Sequence, residues 1–254
     1  MKRAALLVGL TAMLASCGGQ QRPRYTDQVI NRALTGAPGA AQPSDVVKAE
    51  LEFNRAARES GQWTAFRAFA APGAVLHGQN GPILADPWLA SQRDPQKAVQ
   101  WEPRVIWMSC DGALAVSHGR FVDPAGLVGN FYTVWERQSD RSYKWTYDVG
   151  APDNPQPPEP DPTPDLGPED IVVTRLDSVK GLVAHCPRRG ESVPTAPAYT
   201  ITDDQSQGGK MSRDGTLRWR WEHQPDGTRR FIVDWLTPGK WETGLDETLP
   251  APLE

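Results

Sequence analysis

The sequence predicts an α+β fold in which helices precede an antiparallel sheet, followed by a proline-rich linker and a small β-rich C-terminal region. Three observations carry this. Between residues 44 and 70 apolar side chains recur at helical spacing. Between 101 and 150 four strand-like runs alternate with short turn signals. Residues 152–168, PDNPQPPEPDPTPDLGP, hold eight prolines, which neither a central strand nor a helix interior tolerates.

The chain starts with the positive Met1-Lys2-Arg3 and an apolar run from Ala4 to Leu14. That run has the length of a secretory leader core and falls short of the ~20 residues of a membrane-spanning helix. Leu14-Ala15-Ser16-Cys17 then resembles the lipobox of bacterial lipoproteins. The resemblance implies residues 1–16 as a signal peptide, cleavage between Ser16 and Cys17, and lipid attachment at Cys17, which makes the bilayer a partner. Gly18 in place of an aspartate favours the outer membrane, by resemblance to enterobacterial sorting. The expected location is the bacterial cell envelope, lipid-anchored and facing the periplasm. Residues 17–43 are polar and broken by Gly and Pro, the texture of a tether.

Pro43-Ser44-Asp45 reads as a helix start, with Ser44 as the cap. Val46, Ala49, Phe53, Ala56 and Ala57 form its apolar face, and Glu50, Glu52, Arg55 and Arg58 its polar surround. Gly61 ends it. Trp63 to Ala70 makes a second helix, stopped by Pro72-Gly73, and Asp86-Pro87 and Asp94-Pro95 each suggest a short helical turn. Four strands follow, joined by turns at Asp111-Gly112, at DPAG and at SDRS. Alternation in the last strand predicts Tyr143, Trp145 and Tyr147 on one face and Lys144, Thr146 and Asp148 on the other. The expected division is therefore 44–151 as one α+β domain, 152–168 as linker, 169–246 as the β-rich region and 247–254 as a tail. In that last region, TLRWRWEHQPDGTRRFIVD reads as a hairpin. It aligns with residues 130–148 at five identities, through duplication or through convergent turn chemistry.

The stretches ELEFNRAARESGQWTAFRAFAAPGAVLHG and DGALAVSHGRFVDPAGLVGNFYTVWERQSDRSYKWTYDVG together resemble the nuclear-transport-factor-two-like superfamily, in its SnoaL-like branch. The resemblance spans residues 44–151 and implies a curved sheet wrapped on the helices to enclose a cone. In that superfamily the cone serves as an enzyme site, a ligand site or a dimer surface, so fold alone assigns no function. Its enzymes place a carboxylate, or a His-Asp pair with a tyrosine, in the apolar cone. The corresponding candidates for a pocket or acid–base role here are His77, His118, Asp148 and Tyr132. His118 shares a side with Leu114 and Val116 and could point inward; as a bland alternative it is an ordinary strand histidine, and Asp148 a surface carboxylate beside Lys144.

Composition narrows the classes further. The net charge is −4, and no basic stripe occurs, so nucleic acid is not an expected partner. Loss of Lys2 and Arg3 with the leader leaves 25 of the 27 basic side chains against 31 acidic ones. Three cysteines are present. With Cys17 lipidated, Cys110 and Cys186 remain, a candidate disulfide in an oxidising compartment. His185-Cys186 lacks the ligand spacing of a zinc site, and no nucleotide-binding loop or serine-hydrolase motif is present, so no metal or cofactor is expected. Three functions stay open: a non-catalytic cone that binds a small apolar molecule or a partner at the envelope; a cofactor-free isomerase, cyclase or dehydratase working by proton transfer; and a dimerisation or envelope interaction module, with a homodimer as its simplest form.

The address has a direct test. Cys17→Ser is expected to leave the chain unprocessed or released from the membrane, read by fractionation and by the mass of the mature protein; normal maturation and retention of that variant would refute lipidation.

Overall fold

A seven-stranded sheet forms the centre of the fold, with helices against one face and a second, four-stranded sheet against the other. The structure, a computed structural model, describes residues 40–158, 178–188, 190–198 and 206–251. The expected leader, Cys17, the expected tether up to residue 39 and residues 159–168 of the expected linker lie outside the described residues.

Helix α1 (Pro43–Ser60) starts on a proline, whose missing N–H costs nothing in a first turn, and carries Asp45 where the helix dipole favours an acid. Its buried face is Val46, Ala49, Glu50, Phe53 and Ala57. Glu50 thus lies in the core, not on the polar surround where the sequence placed it. At Gly61 the backbone turns with φ 107°, and α2 (Gln62–Phe69) begins. Only glycine fits here, since a Cβ would lie 2.3 Å from the Asp94 carboxylate. That carboxylate accepts from the backbone N–H groups of Trp63 at 2.6 Å and Thr64 at 3.1 Å, and from the Thr64 hydroxyl at 2.6 Å. Asp94-Pro95, expected to open a helical turn of its own, instead caps the first turn of α2 from a distance. Asp86-Pro87 does lie in a helix, α3 (Ala85–Ser91).

The sheet runs β2-β1-β6-β5-β4-β3-β7. Strands β3 (Gln100–Met108), β4 (Leu114–Val122), β5 (Val128–Arg137) and β6 (Tyr143–Pro152) form the antiparallel meander. It is extended at one edge by the hairpin of β1 (Ala70–Gly78) and β2 (Gly81–Leu84), β1 lying parallel to β6. At the other edge β7 (Lys180–Val183) lies parallel to β3. Phe53 anchors the helix side, with ring centroids 4.8 Å from Phe66, 5.1 Å from Phe69 and 4.7 Å from Trp101.

Strand β6 does not alternate simply. Val134 pairs with Tyr147 and Trp135 with Trp145, so Thr146 is an extra residue, a β-bulge. Tyr143 and Trp145 therefore pack on the helix side, while Tyr147, Val149 and Ala151 pack on the opposite side. The expectation that Tyr143, Trp145 and Tyr147 share a face fails at this one residue, because a bulge inverts the alternation beyond it. Asp148 is consequently turned toward the helices, away from the face of Lys144.

The second sheet has the order β11-β10-β9-β8, built from β8 (Gln207–Met211), β9 (Leu217–His223), β10 (Arg229–Thr237) and β11 (Lys240–Leu249). Its apolar face, with Leu217, Trp219, Trp221, Phe231 and Val233, closes over Trp107, Val116, Tyr132, Val134 and Tyr147. Tyr147 lies 4.7 Å from Trp219 and 5.7 Å from Phe231, centroid to centroid. The proline-rich segment therefore does not mark a boundary between separate cores, β7 belongs to the first sheet, and β11 continues past residue 246. Equivalent turns join β3 to β4 and β8 to β9: Ser109-Cys110-Asp111-Gly112-Ala113-Leu114 and Ser212-Arg213-Asp214-Gly215-Thr216-Leu217. In each, the serine hydroxyl donates to the aspartate, at 2.7 and 2.6 Å, and accepts from the leucine N–H, at 3.1 and 2.9 Å. The two turns also bond to each other, Cys110 N–H to the Thr216 hydroxyl at 2.9 Å and Asp111 N–H to Asp214 at 2.8 Å. Beside them a disulfide joins Cys110 to Cys186, across a separation of 76 residues.

Two outcomes follow from this packing. A fragment ending near residue 155 is expected to lose cooperative unfolding by circular dichroism, because the sheet face under Trp219 and Phe231 would be bared to water. Replacing both Cys110 and Cys186 by alanine is expected to cost about 4 kcal/mol in chemical denaturation, the loop-closure entropy of a chain segment this long.

Candidate functional site

Helices and sheet do not close completely on each other. Between them lies a cavity of about 590 Å³, lined mainly by aromatic and aliphatic side chains. Trp63 and Trp88, 5.0 Å apart and nearly perpendicular, form its helical wall, and Phe53, Phe66 and Trp101 its floor. Phe121 and Phe131 lie across the sheet glycines: a Cβ on Gly129 would meet the Phe121 ring at 2.4 Å and one on Gly119 the Phe131 ring at 2.5 Å. Those glycines let both rings lie flat against the strands, which keeps the cone open. Ile83, on β2, borders the mouth and is 37% exposed.

Among the described residues, one carboxyl group borders this apolar space. The bulge at Thr146 turns Asp148 inward, and the Thr133 hydroxyl donates to its Oδ2 at 2.6 Å. No hydrogen bond is made to Oδ1 by any described residue. Burial pushes the Asp148 pKa up to about 7; the Thr133 hydroxyl opposes this, and the negative charge of Glu50 adds to it. Glu50 lies deeper and is fully engaged. It accepts from the indole N–H of Trp101 at 3.0 Å and of Trp135 at 2.9 Å, and from the Ser117 hydroxyl. Its pKa is raised by burial, against the pull of those three donors. Its position was legible: 46, 50, 53 and 57 make one stripe at helical spacing, so an acid at 50 falls among the apolar residues.

The other sequence candidates go elsewhere. His77 borders the cavity, but both ring nitrogens are taken outside it, Nδ1 by the Tyr147 hydroxyl at 2.5 Å and Nε2 by Nδ1 of His223 at 2.9 Å. Burial, with His223 and Arg229 nearby, lowers its pKa to about 3, so the ring is neutral. His118 does share a side with Leu114 and Val116, yet that side faces the second sheet. It stacks on Tyr132 at 5.0 Å and bonds Asn130 at 3.2 Å, and burial lowers its pKa. Tyr132 in turn stacks on Phe231 at 5.1 Å, and burial raises its pKa. Of the four residues, then, Asp148 alone offers an unengaged polar atom to the cone. The second sheet accounts for the difference: nothing local in β4 and β5 marks their outer face as covered, and a covered outer face looks like an inner one. Among the described residues no group of three or more His, Cys, Asp or Glu side chains could hold a metal, and no helix is long and apolar enough to cross a membrane.

No family model matches the chain, and no curated protein does. Among solved structures it is similar to a protein of Shewanella frigidimarina provisionally assigned as a ketosteroid isomerase, at 14% identity and a TM-score of 0.33, over 44% of this chain and 98% of that one.

The raised pKa of Asp148 has a pH consequence. Unfolded, the group ionises near 4; folded, it holds its proton to about 7. The folded state binds more protons in between, so stability is expected to fall as pH rises from about 4 to 7, with Glu50 acting in the same direction. Asp148→Asn is expected to flatten that slope in denaturation curves taken across the window; an unchanged slope would mean that Asp148 titrates normally.

Proposed function

We propose that the protein is a small-molecule-binding protein whose cone takes a flat, largely apolar ligand, held by aromatic contact and oriented by one hydrogen bond to Asp148. A single observation carries this reading: a 590 Å³ apolar cavity bordered by one carboxyl group whose Oδ1 has no partner among the described residues. Ligand sites commonly have this composition, an apolar lining with few polar groups that fix orientation. The leader and lipobox-like residues support action at the cell envelope, and the Cys110–Cys186 bond suits an oxidising compartment.

A second reading draws on Asp148 itself. A carboxyl that titrates near pH 7 inside an apolar site can take a proton from carbon and return it, which is the step of a cofactor-free isomerase or dehydratase. Deuterium uptake from solvent beside the carbonyl of a bound apolar ketone would report it, and Asp148→Asn would abolish that uptake while leaving binding in place.

Binding is tested with the neutral fluorescent probe N-phenyl-1-naphthylamine. The full chain is expected to bind it saturably, Trp88→Ala to weaken binding, and Ile83→Asp, a change at a partly exposed position of the mouth, to weaken it about tenfold by placing a charge against the apolar ligand. Absence of saturable binding, or binding untouched by Ile83→Asp, would refute the cone as the site.

A further inference from the structure

Arg229, the first residue of β10, is buried to 5% exposure with no acid paired to it among the described residues. Its Nη1 donates to the carbonyls of His77 and Gly150, both at 3.3 Å, and Nη2 to the carbonyl of Pro250 at 3.2 Å. These are long contacts to neutral groups. Nε has no partner, and among the described residues no carboxylate pairs with this guanidinium. A guanidinium has five N–H donors, so besides Nε one further donor, on Nη2, is unspoken for. The missing partner is recognisable from the same sheet. Arg230 uses its Nε and Nη2 on the two oxygens of Asp246, at 2.7 and 2.6 Å, and Arg218 turns the same edge on a single oxygen of Asp234, Oδ2, at 3.2 and 2.7 Å. That edge matches a carboxylate in a bidentate fork.

A cavity of about 240 Å³ lies beside Arg229, bordered also by Gly78, Gln79, Ala151, Asn154 and Ala251, with no acid among its described lining residues. Four of its residues, His77, Gly78, Gln79 and Gly150, border the aromatic cone as well. Pro250, which holds Nη2, directly follows the last residue of β11.

We propose that Arg229 is a carboxylate-binding residue, whose Nε–Nη2 edge takes an organic acid group in exchange for the Pro250 carbonyl. The acid group comes either from a free small carboxylate or from an apolar acid whose body lies in the cone. The second source rests on the cone being a ligand site; the first does not. Because Nε is sealed from water, entry requires Pro250 and Ala251 to give way, a small movement at a strand end. The ligand thereby neutralises a buried cation that no described acid pairs with.

The test uses the full chain labelled with ¹⁵N and reads the arginine Nε–H resonances. That of Arg229 is assigned with Arg229→Lys or, should that variant fail to fold, by through-bond correlation of Nε with the Arg229 side-chain carbons. Titration with sodium acetate against sodium chloride at matched ionic strength is expected to move the Arg229 signal saturably with acetate alone, leaving those of Arg218 and Arg230 in place. 4-Phenylbutanoate separates the sources. Binding about tenfold tighter than acetate, with the gain lost in Ile83→Asp, assigns the acid to a cone ligand; equal affinity for the two assigns it to free carboxylates. If neither compound moves the Arg229 signal saturably, or chloride moves it equally, the proposal is overturned. A cone that fails to bind neutral probe leaves the acetate result standing, so the two readings fail separately.

Discussion

One inserted residue, Thr146, governs how the three layers meet. A strand in the middle of a sheet covered on both faces must supply large apolar side chains to each, and β6 does so by changing phase partway. Before the bulge, Tyr143 and Trp145 fill the helix side; after it, Tyr147, Val149 and Ala151 fill the space under the second sheet. Strict alternation would send Asp148 into the second core and Tyr147 into the cone. The bulge gives each the opposite placement, so the core under the second sheet and the carboxyl at the cavity arise from the same backbone irregularity.

The aromatic residues divide along the same line. Trp135 and Trp145 are wholly buried on the helix side, and each indole N–H is satisfied there, by Glu50 and by the Phe66 carbonyl. Trp107, Trp219 and Trp221 lie between the sheets. Trp63, Trp88 and Trp101 line the cavity. The cone is open because much of the aromatic volume is spent on joining the sheets and because glycines at 119 and 129 let the phenyl rings lie flat on the strands. Glu50 contributes from below: it ties α1 to β3, β4 and β5 through three donors, and its charge helps hold the proton on Asp148.

Helix spacing, turn residues and strand runs made the helices and the β3–β6 meander readable in advance, because those signals are local. What was not readable is non-local. Asp94-Pro95 carries a capping pair but caps a helix some thirty residues earlier, through a glycine at 61 that admits it. Strand β7 is four residues long and pairs only because β3 offers it an edge. His118 and Tyr132 looked like cone residues because their neighbours are apolar; those neighbours serve the second sheet. Asp148 was readable as a candidate but its orientation was not, since the bulge that sets it leaves no mark in a strand of alternating aromatics. Glu50 was the one site-related residue whose spacing alone could have given its burial away.

The Thr146 bulge delivers Asp148 to an open apolar cone, which we propose holds a ligand. A crystal structure of the full chain soaked with a brominated flat apolar compound checks both parts at once, because bromine locates itself by anomalous scattering. The bromine signal is expected between Trp88 and Phe131, with the compound's polar atom in hydrogen-bond reach of Asp148 Oδ1 and Thr146 unpaired in β6. A regular β6 with Asp148 under the second sheet, or a compound bound elsewhere with the cone closed by its own side chains, would contradict it.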